Sequence, residues 1–505
     1  MYNFTTKEQV HNHGYEAVGK TLKALAENMD MKVSGKKSQA GDAWESWFGV
    51  NKNSEAEADL PEAGVELKMT GVINTKNGPS AKERLVLNII NYIEEYDKSF
   101  ETSSFWKKNR YMELGFYNYD KDVNWLDWQV IKAALFTYPE KDLLIIKNDW
   151  EIIHSYIRQG RAHELSEGIT MYLSACTKGA SSKTVRNQHP SLPKNTPQAK
   201  QRAYSLKNKY MTYIIREFIF GTALEPNIRI EPFSENEIFE PEGEYYSGES
   251  IISDISILEK QSFEEYIIEQ LQKFKGMKQS DLASKYKIPK NGKGEFPKSI
   301  NAMLASRMLG IHGNLEKSEE FFKANITVKT IRITNKGTIK EDMSFPTFKA
   351  KELVEEKWET STLRNVFDSS KFFFVIFQEE ENGEYVFRGA KFWTMPEHDL
   401  ETTVKKAWLA TVQTYKNGVH LTYNANQNRV TNNLLTKSDK QIISLRPHAS
   451  KASYIANNPN ADELPTPAIW INKPDSYSES WMTKQCFWLN NDYIWEQIQD
   501  VLTDK

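Results

Sequence analysis

Three residues stand at a spacing that suits hydrolytic chemistry. Asp59 precedes Glu66 by seven positions, and Lys68 follows Glu66 by two. Pro61 to Gly64 is turn chemistry, and Val65-Glu66-Leu67-Lys68-Met69 alternates polar with apolar, which reads as a strand. Period-two geometry puts Glu66 and Lys68 on one face, with Val65, Leu67 and Met69 on the other. Asp59, on the arm before the turn, can fold back beside Glu66. Two carboxylates held together repel unless a cation lies between them, and Mg²⁺ suits such oxygen ligands. Lys68 on the same face would orient or activate an attacking water.

The neighbourhood strengthens this reading. Glu45 lies just upstream and offers a third carboxylate. Lys107 and Lys108 lie downstream. From Gly168 to Arg216 there are nine Lys/Arg and no Asp/Glu, whereas Glu217 to Glu265 holds thirteen acids and only Arg229 and Lys260 as bases. A net charge of −3 therefore hides a stretch able to neutralise phosphates. Other matches carry less. Gly14 to Thr21 fits the P-loop letters, but no strand precedes it, and Glu16 would place a carboxylate in the phosphate cradle. His11 and His13, two apart on a helix, read as surface residues. Nine scattered histidines and two cysteines, Cys176 and Cys486, make neither a zinc site nor a disulfide framework.

The elements that must position these residues follow from the pattern. Residues 7–29 read as a helix capped by Thr6 with Gln9. Residues 41–48 read as a short helix stopped by Gly49. Strands are expected at 65–69, 84–92, 111–117 and 143–146, and a helix at 150–158. Strands mixed with helices give a mixed α/β fold. The 505 residues are too many for one small module. The acidic segment 231–255, with Pro232, Pro241, Gly243 and Gly248, is the expected linker between domains 1–230 and 256–505. With 39% hydrophobic and 26% charged residues the balance is globular, and no apolar run approaches a membrane span. No secretory signal is visible, so a cytoplasmic home without membrane contact is expected.

Lys37 to Glu45, then Asp59, then Gly64 to Lys68, resemble the catalytic core of the MutH/Sau-type GATC endonucleases, in the PD-(D/E)xK nuclease superfamily. Thr102-Ser103 followed by Lys108, with Lys107 beside it, resembles the segment that holds the family's extra catalytic lysine. Tyr172 to Ala180 resembles its base-reading loop, with Lys178 on the base-contacting lysine. The resemblance implies Asp59 and Glu66 as Mg²⁺ ligands and Lys68, Glu45 and Lys108 as further catalytic groups. It implies Lys178, with Thr177, Lys183 and Tyr204, as DNA-binding residues.

An internal repeat accompanies it. At one ungapped offset of 261 residues, the helix around Glu45 meets Leu304 to Gly310, and Asn325 to Lys329 repeats the alternation of Gly64 to Lys68. Glu45, Asp59, Glu66 and Lys68 meet Ser306, Glu320, Thr327 and Lys329. Ser444 to Ala449 resembles the reading loop again, with Arg446 and His448 as candidate DNA contacts. Two tandem MutH-like folds are expected, the second a degenerate copy without the carboxylates for chemistry. The family then implies a type II restriction endonuclease that cuts double-stranded DNA 5′ of G in GATC. The second domain would hold another GATC copy as effector, and two chains would act as a homodimer on DNA. The rival readings are a strand-nicking mismatch-repair endonuclease and a non-catalytic GATC-binding regulator.

Overall fold

The structure, a computed structural model, describes residues 4–27, 39–50, 57–179, 184–220 and 248–503. It divides into two compact units: Met1–Tyr266 with Gly310–Thr327, and Ile267–Leu309 with Val328–Lys505.

In the first unit, helix α1 (Lys7–Tyr15) opens on a reciprocal cap, in which the Thr6 hydroxyl accepts from the Gln9 amide and the Gln9 carboxamide accepts from the Thr6 amide. The helix expected over 7–29 ends at Tyr15. A turn through Gly19 (φ +85°) breaks it, and a separate short helix, Leu22–Leu25, starts on its own Thr21 cap. Positions 28 and 29 lie outside the described residues. Helix α2 (Gln39–Trp47) is followed by Gly49 at φ +71°, the left-handed stop that the sequence suggested. The main further elements are β1 (Glu66–Thr75), β2 (Gly78–Ala81), β3 (Leu85–Ile89), α3 (Ser104–Asn109), β4 (Met112–Asn118), β5 (Val130–Phe136), α4 (Glu140–Arg158), β6 (Leu173–Thr177), β7 (Arg202–Leu206) and α5 (Asn208–Ile214).

The strand expected at 143–146 is instead the second turn of α4. Ile146, Trp150, Ile153 and Ile157 are all buried at helical spacing, so the short apolar run belongs to a longer period. One sheet runs β2-β1-β4-β5, and a second runs β3-β7-β6. Strands β1 and β4 are parallel, with Glu66 opposite Met112 and Lys68 opposite Leu114. Val10, Leu22, Trp44, Phe48, Val65 and Leu67 pack together on one side of the first sheet. This leaves the Glu66 and Lys68 side chains to the other face.

The second half continues with α6 (Ile300–Met308), α7 (Glu319–Ala324), β8 (Ile326–Ile333), β9 (Met343–Thr347), α8 (Thr362–Ser369), β10 (Lys371–Glu379), β11 (Tyr385–Trp393), α9 (Lys405–Asn417), β12 (Ile443–Pro447), β13 (Gln485–Leu489) and α10 (Asn491–Leu502). Two of its sheets run β8-β10-β11 and β9-β13-β12. These orders repeat β1-β4-β5 and β3-β7-β6, and α2 and α6 coincide at the 261-residue offset. Phe372 to Phe377, the unbroken apolar run of β10, is wholly buried as the middle strand of its sheet. The fold is mixed α/β in both units. No helix among the described residues is long and apolar enough to cross a membrane.

The units do not divide where composition suggested. Residues 231–247 of the expected linker lie outside the described residues. Ile251 and Ile252, at its end, are buried in the first unit. The Glu320 carboxylate accepts from the amides of Ile251 (3.0 Å) and Ile252 (3.3 Å) and from the Ser250 hydroxyl (2.7 Å), and it pairs with Lys141 (2.6 Å). Lys323, buried, pairs with Asp142 at 2.7 Å. These buried charges fasten α7 to the first unit, because breaking either pair would strand an uncompensated charge in the interior.

Candidate active site

The turn before β1 assembles the carboxylates. The Gly64 amide donates to the Pro61 carbonyl (3.2 Å) with Gly64 at φ +65°, and Leu60 and Val65 exchange backbone hydrogen bonds. That two-way pairing returns Asp59 to the start of the strand. The Leu67 amide donates to Asp59 Oδ2 (3.1 Å), and the Asp59 amide donates to Glu66 Oε2 (3.2 Å). Each carboxylate is thus held by the backbone of the other's segment, which fixes their spacing without using all of their oxygen lone pairs.

Two ammonium groups serve this pair. Lys68 bonds Glu66 Oε1 along the strand face. Lys108 Nζ lies 3.8 Å from Asp59 Oδ1 and 3.6 Å from Glu66 Oε2. Lys107, its neighbour, is exposed, so the helix direction decides between the two lysines. That direction is set by the Ser103 hydroxyl, which accepts from the Trp106 amide and donates to the Phe100 carbonyl. Phe105 is buried, and Asn109 bonds Asn88. Glu45 is brought alongside because Trp44 Nε1 donates to the Glu113 carbonyl and docks α2 on β4.

Burial holds the Glu66 carboxyl above its ordinary range, and Asp59 adds to the rise while Lys68 and Lys108 oppose it. Glu45 is pushed up to about 7, mainly by burial and then by Asp59, with Lys68 opposing. Such upward pressure on clustered carboxylates is the electrostatic condition under which a cation is welcome, and Lys108 already bridges Asp59 and Glu66. The donors are all oxygen, which fits a hard divalent ion. Among the described residues no three His, Cys, Asp or Glu side chains converge as a ready-made cage. Two carboxylates with the remaining positions left to water and phosphate is the arrangement Mg²⁺ favours.

The residues expected to contact DNA are placed as follows. Thr177 ends β6, Lys178 follows it, and both are exposed. The Lys178 amide donates to the Gln201 carbonyl (2.8 Å). Asp149 of α4 accepts from the amides of Met171, Tyr172 and Leu173, which anchors the other end of the strand. Lys183 lies outside the described residues. Tyr204 is a correction. It is fully buried, its ring 5.5 Å from Phe105 and its hydroxyl donating to Glu95 (3.3 Å), so it supports α3 from beneath and has no surface to offer DNA.

In the second unit the counterpart loop is formed. His448 follows β12 as Lys178 follows β6, and its amide donates to the Lys484 carbonyl (2.9 Å). His448 is exposed, while Arg446 pairs with Asp342 (2.5 Å) and lies over Trp488 (5.5 Å). Of the four positions that match the catalytic set, Ser306 and Lys329 belong to the second unit and Glu320 and Thr327 to the first. Ser306 is buried and donates to the Ala302 carbonyl of its own helix. Glu320, the counterpart of Asp59, is the buried anchor of α7 in the first unit. Thr327 and Lys329 lie on β8 and bring no carboxylate.

Of the two histidines read as surface residues, His13 is not one, while the His11 side chain is 39% exposed. His13 is buried and stacks on Trp47 (centroids 5.0 Å apart), and His11 Nδ1 is 3.1 Å from the buried carboxylate of Glu113. Burial pushes Glu113 up to about 7, with His11 opposing. The signal was available in β4, where alternation turns Glu113 to the same face as Leu67.

The family described as "DNA mismatch repair enzyme MutH" matches residues 48–149, which span Asp59, Glu66, Lys68 and Lys108. Two proteins named DNA mismatch repair protein MutH are similar to part of the chain. That of Pasteurella multocida is 22% identical over 43% of this chain and 98% of its own length. That of Shewanella woodyi is 26% identical over 36% and 78% respectively. The type II restriction enzyme Sau3AI of Staphylococcus aureus is 41% identical over 99% of this chain and 100% of its own length. A match of that depth across both units, over a site built from paired carboxylates and lysines, places the chain in the family of the type II restriction enzyme Sau3AI, as a site-specific DNA endonuclease.

Proposed function

We propose that this endonuclease hydrolyses both strands of DNA at GATC, 5′ of the G, with Mg²⁺ held by Asp59 and Glu66. The observation that carries the assignment is the pairing of these two carboxylates by reciprocal backbone bonds, with Lys68 and Lys108 both in reach of Glu66. Bound there, Mg²⁺ would supply Lewis-acid stabilisation of the charge that develops on the phosphate. Lys68, on the open face of β1, orients the attacking water and holds positive charge near it. Lys108 fixes the two carboxylates relative to each other. Glu45, with a carboxyl that titrates near neutrality, accepts or returns a proton at the edge of the site. Thr177, Lys178 and Lys183 read base edges in the major groove, where G offers O6 and N7.

The second unit serves as an effector domain that binds another GATC copy without cutting it. The repeated strand order, the exposed His448 after β12 and the presence of a single carboxylate among Ser306, Glu320, Thr327 and Lys329 support this division. Two chains assemble on the substrate, since GATC is its own reverse complement and one chain carries one intact set. The experiment is incubation with plasmid holding several GATC sites in Mg²⁺, followed by sequencing of the ends, for wild type, Glu66→Ala and Lys68→Ala. Linear products with four-base overhangs are expected from wild type alone, with GATC binding nearly unchanged in the variants. Nicked circles as the end product would favour the repair-type reading. Cutting by either variant at near wild-type rate would reject the catalytic assignment.

A further inference from the structure

The cleavage centre draws its parts from two sheets. Asp59, Glu66 and Lys68 come with β1 of the first sheet, whereas α3, which carries Lys108, is bonded by side chains to the second sheet, β3-β7-β6. Asn88 of β3 reaches both ends of α3. Its Nδ2 donates to Ser104 Oγ (2.9 Å), and its Oδ1 accepts from Asn109 Nδ2 (2.8 Å). Asn109 is wholly buried, and the same Nδ2 donates its other hydrogen to the Phe105 carbonyl at 2.9 Å. A helix of six residues, gripped at its first and last residue by one side chain, cannot turn or slide without breaking a directional bond and leaving a buried amide short of a partner. The Lys108 ammonium, 3.8 Å from Asp59 and 3.6 Å from Glu66, therefore depends on Asn88 for its place.

An irregularity in β3 aims Asn88 at the helix. Val86 pairs with Ser205 and Ile89 with Ala203, so Leu87 and Asn88 together stand against Tyr204. In unbroken register Asn88 would face Ala203 and point away from α3, on the side opposite to Tyr204. The extra residue turns it to the Tyr204 side, beneath the helix, as β-bulges beside active sites commonly do.

The second unit joins the equivalent elements differently. Helices α3 and α8 start on equivalent caps, Ser103 and Ser361, and in both the next amide donates to a glutamate: Ser104 to Glu95 (2.9 Å) and Thr362 to Glu356 (3.2 Å). Counted from those caps, Lys108 corresponds to Val366 and Asn109 to Phe367. Phe367 is buried, its ring 4.8 Å from that of Phe345 on β9, the strand that takes the place of β3 in the sheet order. Ring packing tolerates small slides, whereas amide hydrogen bonds weaken steeply out of line. The fold thus needs only an apolar join between this helix and this strand, and the directional join occurs in the unit that has Lys108.

We propose that Asn88 is a positioning residue of the cleavage reaction, acting through α3 to hold Lys108 against Asp59 and Glu66. It touches neither DNA nor the reacting atoms. The proposal rests on the reading of Asp59, Glu66, Lys68 and Lys108 as the cleavage centre. Because β3 shares its sheet with β6, which leads into Lys178, the same residue ties that centre to the strands expected to meet DNA.

The test measures single-turnover cleavage of a GATC duplex by the full-length protein in Mg²⁺, and binding of the same duplex in Ca²⁺. Asn88→Ala is expected to slow cleavage by roughly 10–100-fold, the cost of an ångström-scale misplacement, with affinity and discrimination against a scrambled duplex at wild-type values. Asn88→Asp keeps an acceptor for Asn109 Nδ2 and for the Ser104 hydroxyl, and it should recover most of the rate. In a Lys108→Met background, Asn88→Ala should slow cleavage no further, because the group it positions is gone. An equal slowing in both backgrounds, a wild-type rate for Asn88→Ala, or a loss of affinity that accounts for the lost rate would overturn the assignment. Failure of the underlying reading would look different. Lys108→Met would then cut at the wild-type rate, whatever Asn88→Ala did.

Discussion

Replacing Lys108 by Met isolates the bridge between the two carboxylates. Its ammonium is 3.8 Å from Asp59 and 3.6 Å from Glu66, and the Lys108 side chain is only 13% exposed. Unit charges about 4 Å apart interact by roughly 4 kcal/mol at an effective dielectric near 20. Lys68 stays in place, and the desolvation cost of the buried Lys108 ammonium disappears with it, so the net loss in metal-free buffer should be about 2 kcal/mol, roughly half the Coulombic figure. That lies below the roughly 3–5 kcal/mol typical of stranding a fully buried charge. For a unit of this size it corresponds to a fall in Tm of about 4–8 °C. Scanning calorimetry in EDTA measures it. A divalent cation should shrink the gap between variant and wild type, because it supplies the charge that Lys108 withdrew. Lys108 also opposes the rise of the Glu66 carboxyl, so the acid limb of the single-turnover cleavage profile should move to higher pH in the variant. Lys107→Met should leave Tm and the acid limb in place. If Lys107→Met lost cleavage while Lys108→Met cut normally with unaltered Tm, the bridging argument would be refuted.

Lys178→Ala should reduce discrimination between GATC and scrambled duplexes by about 1–3 kcal/mol, the worth of one good base contact, in binding measured at fixed salt. Tyr204→Phe should lower stability by about 1 kcal/mol through its lost hydrogen bond to Glu95 and leave that discrimination ratio unaltered. Glu113→Gln addresses the His11 pair. Because folding raises the Glu113 carboxyl from 4.5 to about 7, the folded state binds more protons, and wild-type stability should decline as pH rises between those values. The glutamine variant should flatten that decline, and denaturant titrations from pH 5 to 8 with identical slopes for both proteins would contradict it.

Local features of this chain follow from residue order alone. Asp59, the Pro61 to Gly64 turn and the alternation through Lys68 lie within ten residues, so turn chemistry and the two-residue pleat suffice to bring both carboxylates and one lysine together. The Thr6 cap, the Gly49 stop and the repeat offset were legible for the same reason, since each depends on near neighbours or on direct comparison of two stretches. Tertiary structure decided whatever needed a distant partner. Lys108 rather than Lys107 faces Asp59 because the Ser103 cap and the burial of Phe105 set the rotation of α3. Tyr204 is core rather than surface because its alternate position in β7 points beneath that helix. The apolar run at 143–146 became helix because its period is completed by Trp150, Ile153 and Ile157. Glu320 left the degenerate site altogether. A buried carboxylate must find donors, and those nearest were the amides of Ile251 and Ile252 and the ammonium of Lys141, groups that no spacing in the chain could place beside it.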